Sequence, residues 1–246
     1  MRIYAIGDIH GQLDMLRAAH ARIAADRALT GDPDAPVVHL GDLVDRGPDS
    51  RGVIEHLIRG IAEDAPWIVL KGNHDRMFVN FLESGIAHDS GLRRELTWLD
   101  PPLGGDRTLA SYGVQLRRWT SLRSAWDAAV AAVPKEHLDF LRNLPLTHQT
   151  DDLLFVHAGI RPGVPIDAQV EDDLVWIRGP FLEDTRDHGK IVVHGHTPVD
   201  TPEHYGNRID LDTGAGFGRA LTAAVFEGCD CFILTEDGRE QLLPYD

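Results

Sequence analysis

An α/β fold with two sheets is what this 246-residue chain predicts, on three observations. Short apolar runs repeatedly stop at a glycine beside Asp, Asn or His. The first three of these runs alternate with stretches of helical periodicity, and the last third of the chain is a series of short runs joined by Gly-rich turns. Three strand-loop-helix units in succession imply parallel pairing with crossovers, and the late runs imply a second, mixed or antiparallel sheet. Residues from about 76 to 145 read as mostly helical, so the expectation is one domain over 1–246 with a helical insertion inside it.

The first strand, Arg2 to Ile6, breaks at Gly7-Asp8-Ile9-His10-Gly11. Asp8 and His10 are two apart, so on an extended backbone they point the same way and can hold one cation together. A helix follows from Gln12, with Leu13, Leu16, His20 and Ile23 on one face, which makes His20 a packing residue. After a Gly/Asp/Pro-rich loop comes the central strand, Pro36 to Leu40, and then Gly41-Asp42-Leu43-Val44-Asp45-Arg46-Gly47. Ligands sit at the carboxyl ends of strands in open α/β sheets. A carboxylate there can place one oxygen on each of two cations roughly 3.5–4 Å apart, and Asp42 is the residue that fits.

Pro48-Asp49-Ser50 opens a second helix with an apolar stripe of Val53, Ile54, Leu57, Ile58 and Ile61; His56 lies off that stripe and is expected in solvent. A third strand, Trp67 to Leu70, leads into Lys71-Gly72-Asn73-His74-Asp75. The helical region beyond it shows Met77, Phe78, Phe81 and Leu82 at helical spacing and a break at Pro101 to Gly105. Helical stretches resume near 119–133 and 135–144; the region offers little chemistry, and its tryptophans read as packing residues. The sheet returns at Leu153 to Val156, ending in His157-Ala158-Gly159. Leu174 to Ile177 reads as a strand before Arg178, and Ile191 to Val193 ends in His194-Gly195-His196-Thr197-Pro198. Strands are expected at 208–212, 220–226 and 231–235.

The net charge of −15, from 24 basic and 39 acidic residues, argues against nucleic acid or an anionic membrane as the main partner. A phosphorylated substrate therefore needs a locally positive pocket. Neither a secretory leader nor a bilayer-spanning run is visible. Cys229 and Cys231 point to neither a disulfide framework nor a zinc-thiolate site; alternation would place both on one face of a late strand, and the expected setting is the reducing cytoplasm.

Five strand-end loops thus supply Asp8, His10, Asp42, Asn73, His157 and one of His194 or His196. Oxygen and imidazole donors without thiolate suit manganese, iron or zinc, with manganese preferred here. A first metal takes Asp8, His10 and Asp42, and a second takes Asp42, Asn73, His157 and the late histidine. Two divalent cations against two carboxylates leave a positive pocket, and a shared water acidified towards neutrality can attack phosphorus in line. Arg46 and Arg178 can grip phosphate oxygens, with Asn73 beside them. His74 can protonate the leaving oxygen, with Asp45 orienting its ring.

These residues resemble the calcineurin-like metallophosphoesterases, in particular their bacterial phosphoprotein-phosphatase branch. GDxHG matches Gly7 to Gly11, GDxVDRG matches Gly41 to Gly47, GNHD matches Gly72 to Asp75, HAG matches His157 to Gly159, and GHTP matches Gly195 to Pro198. The resemblance implies a β-sandwich flanked by helices with a dimetal site at one edge. It makes His196 the late ligand, with His194 outside the metal shell, and carries a second phosphate-binding arginine onto Arg178. Where the wider superfamily often has another histidine, this chain has Pro198, as the phosphatase branch does.

The third motif ends in Asp75, the form shared with bacterial diadenosine tetraphosphate hydrolases, whereas Asp45 completes the VDRG form typical of phosphatases. The sequence therefore places a dimetal phosphomonoesterase first, acting on phosphoserine or phosphothreonine in proteins and on small aryl phosphates. A diadenosine polyphosphate hydrolase comes second, and an inactive phosphate-binding module is the reading outside enzymes.

Overall fold

The structure, a computed structural model, describes residues 2–245. Its first sheet has six strands in the order β11-β10-β9-β1-β2-β3. The parallel half is β1 (Arg2–Ile6), β2 (Val37–His39) and β3 (Trp67–Val69); the antiparallel half is β9 (Ala223–Glu227), β10 (Asp230–Thr235) and β11 (Gly238–Leu242). The second sheet, β4-β5-β6-β8-β7, is built from β4 (Thr147–Gln149), β5 (Leu153–Val156), β6 (Ile191–His194), β7 (Glu203–His204) and β8 (Arg208–Asp210).

The two sheets pack face to face. Ile3, Ala5, Val38, Leu40 and Leu70 from the first meet Leu153, Phe155, Val193, Ile209 and Leu211 from the second. The alternate residues of the same strands, Tyr4, Ile6, Val37, Val69 and Val225, are buried on the opposite face. There they lie under α1 (Leu13–Thr30), α2 (Ser50–Ala62), α3 (Asn73–Ser84), α4 (Gly105–Ser111), α5 (Leu122–Ala132) and α6 (Lys135–Arg142). On the outer face of the second sheet, Leu154, Val156 and Val192 pack with Leu174 of α7 (Glu171–Trp176), Ile177 just after it and Phe181 of α8 (Gly179–Leu182). Because strands buried on both faces lose the polar alternation of a surface sheet, they read as continuous apolar runs.

Register decides where the motif loops meet. Ile6 lies opposite His39, and His39 opposite Val69, so β1, β2 and β3 end level at one edge. Phe155 pairs with Val193 and His194 with Asp210, which aligns the corresponding ends in the second sheet. The imidazole Nδ1 of His157 donates to the Leu40 carbonyl at 2.9 Å, tying the two edges together.

Several expectations are corrected. Residues 174–177 are not a strand: three acidic residues at 171–173 favour a helix start, and α7 buries Leu174 against the second sheet. The late strands do not form a sheet of their own. β8 joins the second sheet, while β9 to β11 extend the first by antiparallel pairing onto β1. Cys229 sits exposed in the turn before β10, whereas Cys231 is buried within it. His56 is half-buried rather than solvated, because its Nε2 reaches His20 Nδ1 at 3.0 Å beside the Trp67 ring. Trp119 is 78% exposed and packs nothing, while Trp98 is fully buried.

Candidate metal centre

The loops after β1, β2, β3, β5 and β6 converge and bring together the residues that the sequence singled out. Two compact groups result, His10 with Asp42 and His74, and Asp42 with His157 and His196; within each, one ligand atom per residue lies within 4.8 Å of the others. Asp42 belongs to both. One of its oxygens, Oδ2, is 3.5 Å from His10 Nε2, and the other, Oδ1, is 3.4 Å from His157 Nε2.

The backbone accepts strain to achieve this. Among the described residues, the non-glycine positions at positive φ are His10, Asp42, Asp45, Arg46, His196 and Asp64, and all but Asp64 are site residues. Such conformations cost of order 1–3 kcal/mol each and persist only where the surroundings over-determine them. Here the surroundings are backbone carbonyls and close glycines. The amides of Ile9 and His10 both donate to the Asp42 carbonyl, and a Cβ at Gly72 or Gly195 would collide with Asp42 Oδ1 or Asp8 Oδ1.

The donor and acceptor roles show what the cluster suits. His157 Nδ1–H donates to Leu40, so its Nε2 carries a lone pair, yet that nitrogen faces Asn73 Oδ1 at 3.0 Å and Asp42 Oδ1 at 3.4 Å. Three acceptors turned toward one another are reconciled by a positive charge between them. Asp8 Oδ1 and His196 Nε2 are among the few buried side-chain polar atoms with no hydrogen-bond partner, and both stand at this cluster. Burial pushes the imidazoles of His10, His157 and His196 down, which keeps them in the neutral, ligating form. Asp42 Oδ1 accepts from the His74 amide at 2.9 Å, a backbone donor that favours its ionised form. Nitrogen and oxygen donors in this arrangement fit two divalent cations sharing Asp42.

The details differ from the sequence assignment in two places. Asp8 does not join the compact group with His10; its Oδ2 accepts from the His196 amide at 3.1 Å and its Oδ1 is 3.9 Å from His157 Nδ1. His74, assigned to proton transfer, also faces the His10 group. His194 lies apart, its Nδ1 donating to the Gly195 carbonyl and its Nε2 facing Arg208, so of the two late histidines His196 is the one in the cluster.

On the open side, the guanidinium of Arg46 donates to His10 Nε2 at 2.5 Å and to His74 Nε2 at 3.1 Å. Arg178 reaches the same region from the start of α8, donating to the His196 carbonyl at 3.3 Å. Asp45 is 2.6 Å from His74 Nδ1 and is held from two further sides by Trp98 Nε1 at 2.7 Å and Thr108 Oγ1 at 2.6 Å. Trp98 and Thr108 were missed because both lie in the helical region that carries no motif. Asp212 was missed too; it packs by Gly195 beside Asp8, and burial, Gly214 notwithstanding, pushes its carboxyl up to about 6. The Gly-bracketed Asp212-Thr213-Gly214 resembles the motif loops and was the available signal.

Asp75 does not face a substrate at all. Fully buried, it accepts from the Leu43 and Gly72 amides, both at 2.9 Å, and so stitches the second motif to the third.

Residues 1–213 match the profile of the calcineurin-like phosphoesterases, so the match spans every loop of the cluster. The chain belongs to the calcineurin-like phosphoesterases. As a member of that family it is a metal-dependent phosphoric ester hydrolase. Curated relatives include the asymmetrical bis(5′-nucleosyl)-tetraphosphatase PrpE of Geobacillus thermodenitrificans, 27% identical and covering 91% of this chain and 89% of its own. The protein of the same name from Geobacillus sp. WCH70 is 28% identical over the same shares. Among solved structures, a candidate diadenosine tetraphosphatase superposes with a TM-score of 0.62 at 22% identity over 98% of this chain and 94% of that one. A cold-active protein tyrosine phosphatase gives 0.63 at 17% identity over 99% and 79%. Both neighbours share the two-sheet, helix-flanked architecture described above. No helix among the described residues is long and apolar enough to cross a membrane.

Proposed function

We propose that this phosphoesterase hydrolyses dinucleoside polyphosphates, the second of the two enzyme readings that the sequence left open. The observation that carries a two-metal phosphoryl chemistry is the knot of mutually facing acceptors at Asp42, Asn73 and His157, with the unpartnered Asp8 and His196 beside it. The substrate class is supported by relatives named as bis(5′-nucleosyl)-tetraphosphatases, which align over about nine-tenths of both chains.

In this reading Asp8, His10, Asp42, Asn73, His157 and His196 hold two divalent ions, for which manganese is our choice on donor type. Bound there, the ions supply Lewis-acid polarisation of phosphoryl oxygens and an acidified water. Arg46 and Arg178, on the open side, bind and orient the phosphate chain through planar, charge-assisted donors, with Asn73 beside them. Asp45 holds His74 in the tautomer with hydrogen on Nδ1. When protonated, His74 presents its Nε2 proton to the leaving oxygen. Free thiols at Cys229 and Cys231 accord with a reducing, cytoplasmic setting.

One observation favours the phosphomonoesterase instead. A buried Asp45–His74 pair at 2.6 Å is a proton source suited to an alkoxide leaving group such as serine, whereas a nucleotide phosphate leaves readily as an anion. Side-by-side kinetics on diadenosine tetraphosphate and a phosphoserine peptide separate the two. A higher kcat/KM on the dinucleotide is expected, and the reverse order would return the phosphatase to first place.

A further inference from the structure

The rim of the site carries an aromatic ring that neither the metal ligands nor the phosphate contacts use. Phe217 is 61% exposed and closes a short 3-10 turn, Ala215–Phe217, between Gly214 and Gly218, both in the left-handed region. A single exposed aromatic needs no explanation by itself. What sets Phe217 apart is where it is held and how firmly.

A Cβ at Gly216 would come within 2.6 Å of His10 Cδ2 and 2.9 Å of Arg46 Cδ, so the turn lies directly against the centre. Gln12 Nε2 donates to the Ala215 carbonyl at 3.1 Å and anchors the turn to the start of α1. The Arg46 guanidinium sits over the ring, its carbon 4.7 Å from the ring centroid, while the nitrogens of the same group touch His10 and His74. The ring is thus one guanidinium away from a metal-ligand histidine. Arg46 covers it on one side, and its exposure leaves a surface open to solvent.

We propose that Phe217 is the stacking platform for a nucleobase of the substrate, with Arg46 gripping the phosphate chain of the same nucleoside. The proposal rests on the dinucleoside polyphosphate reading and extends it to recognition. Each end of such a substrate is a flat heteroaromatic base joined through ribose to phosphate. A rigid ring next to a phosphate-binding arginine offers stacking and charge to those two parts together. Stacking of this kind tolerates any base, so the expected preference is for a base over none rather than for adenine over guanine.

The test compares wild type, Phe217→Ala and Phe217→Trp in the metal-loaded enzyme. Phe217→Ala should raise KM for diadenosine tetraphosphate about tenfold, within the range measured for base–aromatic stacking, and move kcat far less. Phe217→Trp should keep the wild-type KM. In parallel, AMP and ribose 5-phosphate are compared as inhibitors of whichever phosphoester the enzyme turns over. Wild type should favour AMP, and Phe217→Ala should lose that preference while binding ribose 5-phosphate as before. An unchanged KM, or equal weakening of both inhibitors, overturns the assignment. If the dinucleotide is not hydrolysed at all, the substrate reading falls. The inhibitor ratio still decides Phe217: abolition by Phe217→Ala upholds the platform, and a wild-type ratio near one sinks it.

Discussion

The two ends of the candidate metal cluster are held in opposite ways. At the His10 end the protein supplies donors to the imidazole lone pairs and to the carboxylate behind them: Arg46 serves His10 and His74, and Trp98, Thr108 and His74 surround Asp45. At the His196 end, Asp8 Oδ1 and His196 Nε2 have none, and His157 faces Asn73 acceptor to acceptor. One end has a guanidinium on its imidazole lone pairs; at the other, Arg178 reaches only the His196 carbonyl. The difference predicts that a bound cation stabilises the His196 end more than the His10 end, whose histidines already hold Arg46.

The hardest blow to both ends at once is Asp42→Asn, because this carboxylate faces His10 with one oxygen and His157 with the other. It should lower kcat/KM by about three orders of magnitude, or about 4 kcal/mol of transition-state stabilisation. Elemental analysis should find fewer than two metals per chain; full occupancy would show that the two groups do not share Asp42.

Trp98→Phe breaks only the His10 end. It keeps an aromatic ring stacked near Phe78 but removes the Nε1 donor to Asp45. Activity should fall roughly 10- to 100-fold, as when an outer partner of a site residue is lost, with metal content unchanged. Metal loss together with activity would place Trp98 in the cluster's support rather than in the Asp45–His74 pair.

Cation binding sharpens the contrast as a stability difference. Manganese at about a hundred times its dissociation constant should stabilise the fold by about 2.7 kcal/mol for each ion bound, read from thermal unfolding with and without chelator. His196→Ala should erase more of that gain than His10→Ala, since Arg46 already serves the His10 end. Equal losses would contradict the asymmetry.

A third set of imidazoles, with no unpaired lone pair, provides the control. His39 Nδ1 donates to the Ile68 carbonyl, His39 Nε2 accepts from His20 Nε2, and His20 Nδ1 accepts from His56. Burial pushes His20 down to about 2, with help from His39 and His56, and His39 down to about 4 against the pull of the Ile68 carbonyl. Their folded values lie below the ordinary histidine value. Their contribution is therefore complete above about pH 6.5 and is lost as pH falls from there toward 4. Between pH 6.5 and 5 each should cost at most about 2 kcal/mol, at 1.36 kcal/mol per unit. His20→Gln should flatten that part of the pH–stability curve in urea unfolding; an unaltered slope would mean that these rings titrate normally.

Much of this was legible along the chain. The strand-end motifs around Asp8, His10, Asp42, Asn73 and His157 are visible because each needs a β run, a glycine and a ligand in immediate succession, and local succession is what a sequence displays. The choice between His194 and His196 came only from family resemblance, because both sit at the end of the same apolar run. The supports of Asp45 were not legible, since Trp98 and Thr108 are 53 and 63 residues away from it and lie in a turn and a short helix that carry no motif. The role of Asp75 was hidden for the same reason: its identity is visible, but the direction of its carboxylate toward the Leu43 and Gly72 amides is not.

By itself, the order of residues determined which side chains could bind metal and at which strand ends they stand, because hydrophobic runs and glycine breaks are properties of neighbours. Only the tertiary structure decided that β9 to β11 complete the first sheet, that Arg46 rather than another cation serves the His10 end, and that Phe217 stands at the rim. Those outcomes depend on packing and charge between segments far apart in the chain, whose relative placement is a property of the folded whole.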